Sequence, residues 1–212
     1  MTKVKKSSIL LTCLLLALLC GLLFYIDGNA SKYIIRITRL CAINIVLALS
    51  MNLVNGFTGI FSLGHAGFMA IGAYTVALLT IPVAKKETIF MLEPLIAPLN
   101  TLTLPFGAAL IIGGLLAAAL AFLIGLPCLR LRGDYLAIAT LGFSEIIRIV
   151  ITNAQSLTNG AQGLKSIPAT ANIWWCYGVA LATIVFIALL ISSSYGRAFK
   201  AIREDEIAAE SM

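Results

Sequence analysis

Long apolar runs separated by short polar segments make up most of this chain. A membrane-crossing helix needs about 20 residues, because each residue rises ~1.5 Å and the hydrocarbon layer is ~30 Å thick. Backbone groups in lipid must be satisfied within the protein, so each run is expected to be helical. The pattern predicts an all-α integral membrane protein, a polytopic bundle of about six transmembrane helices, with spans at about residues 9–26, 34–54, 66–83, 104–128, 135–152 and 173–191.

A glycine-rich segment interrupts this pattern between the second and third spans. Residues 52–74 read NLVNGFTGIFSLGHAGFMAIGAY, and glycine at this density weakens a helix and permits turns or close backbone approach. Two interpretations stay open. The segment is either a tight cytoplasmic turn or a broken helix that lines a substrate path with Asn52, Ser62 and His65. His65 is the only histidine, which excludes a zinc site built from several histidines.

Composition agrees with the membrane assignment. The chain is 60% hydrophobic and only 11% charged, whereas soluble domains are closer to a quarter charged. The net charge of +6 therefore indicates orientation and contact with lipid headgroups rather than binding of nucleic acid. The five cysteines have no paired spacing and most fall in apolar runs, so we interpret them as small membrane-buried residues, neither disulfides nor metal ligands.

Small residues recur every fourth position in the fourth predicted span. Such a stripe lets two helix backbones approach closely in lipid. We expect it to be a packing face, either within the subunit or against a partner. Its members are Ala109, Gly113, Ala117, Ala121 and Gly125.

The fifth predicted span contains two charged residues, Glu145 and Arg148. Their i,i+3 spacing allows the two side chains to pair on one helix face. An ionisable residue inside a membrane is a functional hypothesis by default, so both are candidates for the translocation path. A structural pair near the far interface is the alternative, and only the depth of the residues separates the two.

The segment 193–212, SSYGRAFKAIREDEIAAESM, is polar and helix-prone and follows the last apolar run. Ser193 or Ser194 is predicted to cap a helix over residues 196–203, and Asp205 a second helix from Glu206. The acidic residues here suit an anionic membrane poorly, so a protein partner is favoured over lipid. No helix stop signal ends the pattern, so we expect that 212 residues are not the whole natural protein.

Basic residues predict the orientation. With six spans, eight lysines and arginines lie on the side that holds both ends and six on the other. This bias places both ends of the chain in the cytoplasm. The first apolar run is longer than the apolar core of a signal peptide and lacks a good cleavage site, so an uncleaved span is expected.

Residues 52–74, 127–152 and 193–212 together resemble the membrane subunits of bacterial ABC importers for branched-chain amino acids. The stretches that carry the resemblance are NLVNGFTGIFSLGHAGFMAIGAY, LRLRGDYLAIATLGFSEIIR with the later TNGAQG loop, and the final SSYGRAFKAIREDEIAAESM. The resemblance implies one permease domain, incomplete and truncated at its C-terminus, in the bacterial inner membrane. It also implies that the last segment couples to an ATPase through Gly196, Arg197, Ala198, Ile202, Arg203, Glu204, Glu206, Ala208 and Ala209.

The resemblance further implies the partners. A periplasmic binding protein would deliver Leu, Ile or Val to a path formed with a homologous permease subunit, and two ATPase subunits would supply the energy. ATP and Mg would bind those subunits. No cofactor is expected on this chain, which has no GxxxxGK[ST] loop and is predicted not to be an enzyme.

Three alternatives remain. One is a related ABC permease for urea, amides or sugars. Another is a secondary transporter, which would need its own coupling-ion site and usually inverted repeats that the sequence does not show. The third is an intramembrane enzyme, for which no nucleophile and base stand together.

Overall fold

The computed structural model of the protein describes residues 6–90, 94–96, 99–131 and 133–205, with side chains from residue 14 onward. Among these residues the regular structure is helical and contains no strand, which confirms the predicted all-α class. The helices are α1 Lys6–Asn29, α2 Lys32–Met51, α3 His65–Thr80, α4 Val83–Ile89, α5 Phe106–Cys128, α6 Asp134–Asn153, α7 Gln155–Thr158, α8 Ile173–Ser192 and α9 Ser194–Glu204, with a π-helical turn at Asn52–Phe57 and a 3-10 turn at Gly160–Gln162.

Four described helices are long and apolar enough to cross a membrane. They are α2 with its π turn, α5, α6 and α8. A fifth candidate is the pair α3 and α4, which bends by 119° at its break, and α1 contributes a shorter apolar helix at Leu14–Asn29. These helices confirm a polytopic helical membrane protein.

Prolines decide where α3 ends and where α4 and α5 begin. The third span was expected to run to residue 83, but α3 ends at Thr80 and the chain turns before Pro82. The residue before a proline avoids helical geometry, and Ile81 is accordingly extended with ψ of 127°. Pro82 and Pro105 each stand immediately before a helix, where their missing N–H costs nothing.

The described residues fall into two compact units. The first comprises the described part of Met1–Ala48 together with Ala171–Phe186. Within it, the Tyr177 hydroxyl donates to the Thr38 carbonyl at 3.3 Å, so the start of α8 is hydrogen-bonded to α2.

The second unit comprises Leu49–Thr170 and the described part of Ile187–Met212. Its centre is α3, which packs most extensively on α5 and then on α6. A Cβ added to Gly113 would lie 2.8 Å from Val76 Cγ2 and 3.1 Å from the Gly72 carbonyl oxygen. The first half of the small-residue stripe therefore packs within the subunit, and Ala109 and Gly113 are buried there.

Beyond α3, the chain of the second unit folds back over its own helix ends. A small apolar cluster of Leu78, Phe90 and Leu95 is buried between the end of α3 and the following loop. The Leu104 amide donates to the Leu79 carbonyl at 2.8 Å, which returns the chain to α3 before α5 begins.

Candidate functional site

The glycine-rich segment interrupts the helical structure between α2 and α3. The helix that begins as α2 widens into the π turn Asn52–Phe57, and α3 starts only at His65. We call residues 58–64 between them the glycine-rich break. Gly59 has a φ of +71°, a conformation that costs glycine little and other residues more. π turns within α-helices are frequently found at functional sites.

Side chains replace the missing helical hydrogen bonds in this region. The Ser62 amide donates to Asn55 Oδ1 at 3.2 Å, and the Leu63 amide donates to Thr140 Oγ1 on α6 at 3.1 Å. The Thr58 hydroxyl donates to the Val54 carbonyl. The break therefore has a defined conformation, held by single polar contacts instead of a continuous helical ladder.

Next to the break, α3 approaches α6 closely enough to need a glycine. A Cβ at Gly67 would lie 3.0 Å from both Ser144 Cα and Ile147 Cδ1. Thr140, Ser144 and Ile147 are spaced by four and three residues, so they form one stripe along α6. This stripe is the face that α6 turns towards α3.

Glu145 and Arg148 form the predicted pair. Arg148 Nη2 lies 2.5 Å from Glu145 Oε1, and Arg148 Nε donates to Glu145 Oε2 at 2.9 Å. Glu145 directly follows Ser144, and Arg148 directly follows Ile147. Successive residues of an α-helix are rotated by about 100°, so both charged side chains point away from the face that contacts α3. Their side chains are accordingly 50% and 68% exposed in this chain.

The residues predicted to line the path lie on two parts of the chain, the region around the break and α6. Asn52 lies in the π turn, Ser62 in the break, and His65 is the first residue of α3. Glu145 and Arg148 lie off the face that contacts α3, as the α6 geometry shows. Sequence reasoning missed Thr140, although a threonine and Ser144 four residues apart in an apolar span were a signal for a polar contact.

The polar segment after the last span forms α9, as the sequence indicated. Ser193 occupies the N-cap position, but the predicted cap bond is wrong. Its hydroxyl donates instead to the Leu190 carbonyl at 2.6 Å, because the turn from α8 brings that carbonyl within reach. Gly196 is buried, and an added Cβ would overlap the Ile191 carbonyl. The start of α9 therefore sits tightly against the end of α8.

The far end of α9 contacts the glycine-rich region. Arg203 Nη1 donates to the Gly56 carbonyl at 2.9 Å, and a Cβ at Gly59 would lie 3.0 Å from Arg203 Cγ. Arg197 bonds only locally in the described contacts, to Ser194 Oγ at 3.2 Å.

The other predicted coupling residues divide into two groups. Ala198 and Glu204 are exposed on α9, and Ile202 is half-buried. Glu206, Ala208 and Ala209, with the second helix expected to begin at Glu206, lie outside the described residues. Within the described part of the chain, no group of three or more His, Cys, Asp or Glu residues is placed to hold a metal ion.

Comparison with known proteins identifies the family. The family described as "Branched-chain amino acid transport system / permease component" matches residues 33–212. No solved structure matches the chain.

Three curated proteins are similar to this chain. The "High-affinity branched-chain amino acid transport system permease protein LivM" of Escherichia coli (strain K12) is 38% identical, covering 86% of this chain and 46% of that protein. Its counterpart of the same name from Salmonella typhimurium is 36% identical with the same coverage. The "Probable branched-chain amino acid transport permease protein LivM" of Methanocaldococcus jannaschii is 25% identical, covering 76% of this chain and 54% of that protein.

The chain spans about half the length of these relatives. The family match begins in α2 and includes every later helix, so it covers both the glycine-rich break and α9. This chain belongs to the family of permease components of branched-chain amino acid transport systems.

Proposed function

We propose that this protein is a permease subunit of an ATP-driven, high-affinity importer in the bacterial inner membrane, and that it forms part of the path for Leu, Ile and Val. Its partners would be a homologous permease subunit, two ATPase subunits and a periplasmic amino-acid-binding protein. ATP and Mg would bind the ATPase subunits, and this chain would contribute no ATPase site. The observation that carries the proposal is the family match over residues 33–212.

The geometry supports a division of labour within the chain. The break exposes backbone groups between α2 and α3, and such backbone occurs at membrane depth only where protein or a water-filled cavity covers it. Asn52, Ser62 and His65 would face this path. The helix α9 would be the coupling helix, because it is polar and lies directly after a membrane-spanning helix.

Uptake by the assembled transporter tests this function. The complex that contains this chain is expressed in cells that lack their own high-affinity uptake of branched-chain amino acids, and import of labelled leucine, isoleucine and valine is measured. Import that needs this subunit and competes among the three substrates supports the proposal. Import of urea or a sugar but not of leucine would overturn the substrate.

Coupling is tested at Gly196. Because even one Cβ at this position meets the Ile191 carbonyl, Gly196→Ala and Gly196→Pro should displace the start of α9, and proline also stiffens the turn. We expect ATP hydrolysis to stop responding to the loaded binding protein. The matched control is Gly178→Ala, since nothing lies within 4 Å of a Cβ there. Normal import by both Gly196 variants would show that α9 is not the coupling helix.

Charge reversal tests the same contact at a position beyond α9. A groove that binds the acidic side chain of Glu206 is expected to be basic. Glu206→Lys would bring a second positive charge against it, which weakens association. We expect uncoupled ATP hydrolysis. Unchanged transport by this variant would remove Glu206 from the contact.

The proposed orientation places both ends of the chain in the cytoplasm. Lys200→Cys on α9 and Lys165→Cys in the loop before α8 both put a thiol at an exposed position. In a background without the five native cysteines, a membrane-impermeant maleimide applied to spheroplasts should label residue 165 and spare residue 200. The reverse labelling would invert the topology.

A further inference from the structure

Arg203 satisfies a carbonyl that the helix break leaves free. The last carbonyls of a helix have no intrahelical donor, and the π turn Asn52–Phe57 ends one residue after Gly56. Arg203 Nη1 donates to the Gly56 carbonyl at 2.9 Å across 147 positions of sequence. A cation at a helix C-terminus is also favoured by the helix dipole. The contact is therefore specific in both geometry and charge.

Steric fit reinforces this bond. The positive φ of Gly59 turns the chain directly after the π turn. A Cβ on Gly59 would stand 3.0 Å from Arg203 Cγ and 3.5 Å from Arg203 Cα. The end of α9 thus lies close against the break, and a side chain on Gly59 would crowd the side chain of Arg203.

We propose that Arg203 is a positioning residue that makes the glycine-rich break follow α9, so that movement of the ATPase subunits reaches the translocation path through this contact. The inference rests on the proposed function, in which α9 docks on an ATPase. It goes beyond the role that the family resemblance implied for Arg203, because the guanidinium binds the chain's own π turn at the Gly56 carbonyl.

Hydrogen bonds connect the break to α6. Asn55, one position before Gly56, holds the Ser62 amide. The next amide, that of Leu63, bonds Thr140 on α6. A shift of α9 that pulls on the Gly56 carbonyl therefore acts on a segment fixed to α6 by one neutral hydrogen bond.

The first experiment measures amino acid imported per ATP hydrolysed in proteoliposomes that contain the complete transporter and loaded binding protein. Arg203→Ala should retain bound ATPase subunits and hydrolyse ATP, but the import ratio should fall roughly tenfold, the factor that corresponds to losing one hydrogen bond to a charged group. Arg203→Lys keeps the charge without the planar fork of donors and should restore the ratio only in part.

Lys200→Ala is the matched control. Lys200 is a second exposed basic residue on α9, one turn before Arg203. It lies outside the contacts described with the break, and it is not among the predicted coupling residues. The import ratio of Lys200→Ala should equal that of the unmodified transporter.

A second variant tests the steric half of the contact with Arg203 intact. Gly59→Ala strains the backbone and pushes against Arg203 Cγ, so it should lower the same import ratio. Gly142→Ala on α6 adds a methyl group where nothing lies within 4 Å. This control variant should leave the import ratio unchanged.

The outcomes separate this inference from the proposed function. If the unmodified complex imports leucine but Arg203→Ala has an unchanged import ratio, the inference is wrong and the function stands. Loss of bound ATPase subunits from Arg203→Ala would also overturn it, because Arg203 would then be part of the groove contact. If the unmodified complex imports no branched-chain amino acid, the function itself fails.

Discussion

The two ends of α3 are held in opposite ways. At its start, the glycine-rich break is fixed by single polar hydrogen bonds and by close glycine contacts, with most side chains only half-buried or exposed. At its end, the connection between Pro82 and Pro105, which consists of α4 and the loop after it, contains a fully buried lysine on α4. Lys86 is 1% exposed and donates to the carbonyls of Leu99 and Leu102 at 2.7 and 2.6 Å.

The difference in packing predicts a difference in local stability. Regions with few buried apolar contacts open at lower free energy than regions with a buried core. The loop has both an apolar cluster and a buried ammonium group that would lose its carbonyl partners if the loop shifted. We expect the loop to keep its conformation while the break changes, so that α3 is fixed at one end and movable at the other.

The largest predicted effect is at Lys86. Removing its side chain leaves the carbonyls of Leu99 and Leu102 without this donor and creates a cavity, so Lys86→Ala should lower the free energy of unfolding by about 3 kcal/mol. Lys85→Ala, at the exposed neighbouring lysine, should change it little. Thermal melting of the purified protein and proteolysis of the loop measure both variants. Equal melting temperatures for Lys86→Ala and Lys85→Ala would contradict the proposal that the end of α3 is held more firmly than its start.

A smaller effect is expected where α3 packs on α5. Gly113→Ala places a methyl group 2.8 Å from Val76 Cγ2, and such overpacking costs about 2 kcal/mol. Gly114→Ala, the adjacent position, meets nothing within 4 Å and should be neutral or slightly stabilising. Melting of the two variants side by side gives the measurement. Equal loss from both would show that α3 and α5 are not in close contact.

The smallest effect should come from the break itself. Thr140→Val removes the acceptor of the Leu63 amide and should cost about 1 kcal/mol. Hydrogen exchange at Leu63 should quicken while exchange at Leu104 stays slow, because Leu104 bonds α3 at the loop end. Thr152→Val is the control, since the described bonds of Thr152 stay within its own helix. Faster exchange at both amides would mean that the two ends open together.

Apolar run length was enough to predict the helices that later define the fold. Helix α5 begins two residues after the predicted start at 104 and ends at the predicted 128, and α6 extends the predicted run by one residue at each end. The third predicted span runs to about residue 83 and α3 ends at Thr80, because the length of an apolar run does not register the effect of a single proline. The sequence shows Pro82, and a proline disfavours helical backbone geometry at the residue before it. Applied to Ile81, this rule predicts the end of α3.

The contacts that organise the site were beyond this kind of reasoning. Leu63 and Thr140 are 77 positions apart, and Gly56 and Arg203 are 147 apart. Periodicity reports which face of a helix is apolar but not which distant carbonyl an arginine will reach. The family resemblance singled out Arg203 in the last segment but implied nothing about its bond to Gly56.

Because α3 is short, its fit to the membrane depends on the thickness of the bilayer. Its 16 residues rise only about 24 Å, whereas the hydrocarbon layer is ~30 Å thick. If α3 crosses the bilayer, either the break supplies the remaining length or the lipid thins around it, at a cost of fractions of a kcal/mol per Å of mismatch. Shorter acyl chains relieve that mismatch and longer ones increase it. The lipid composition of the cell would then set how easily the first turn of α3 unwinds.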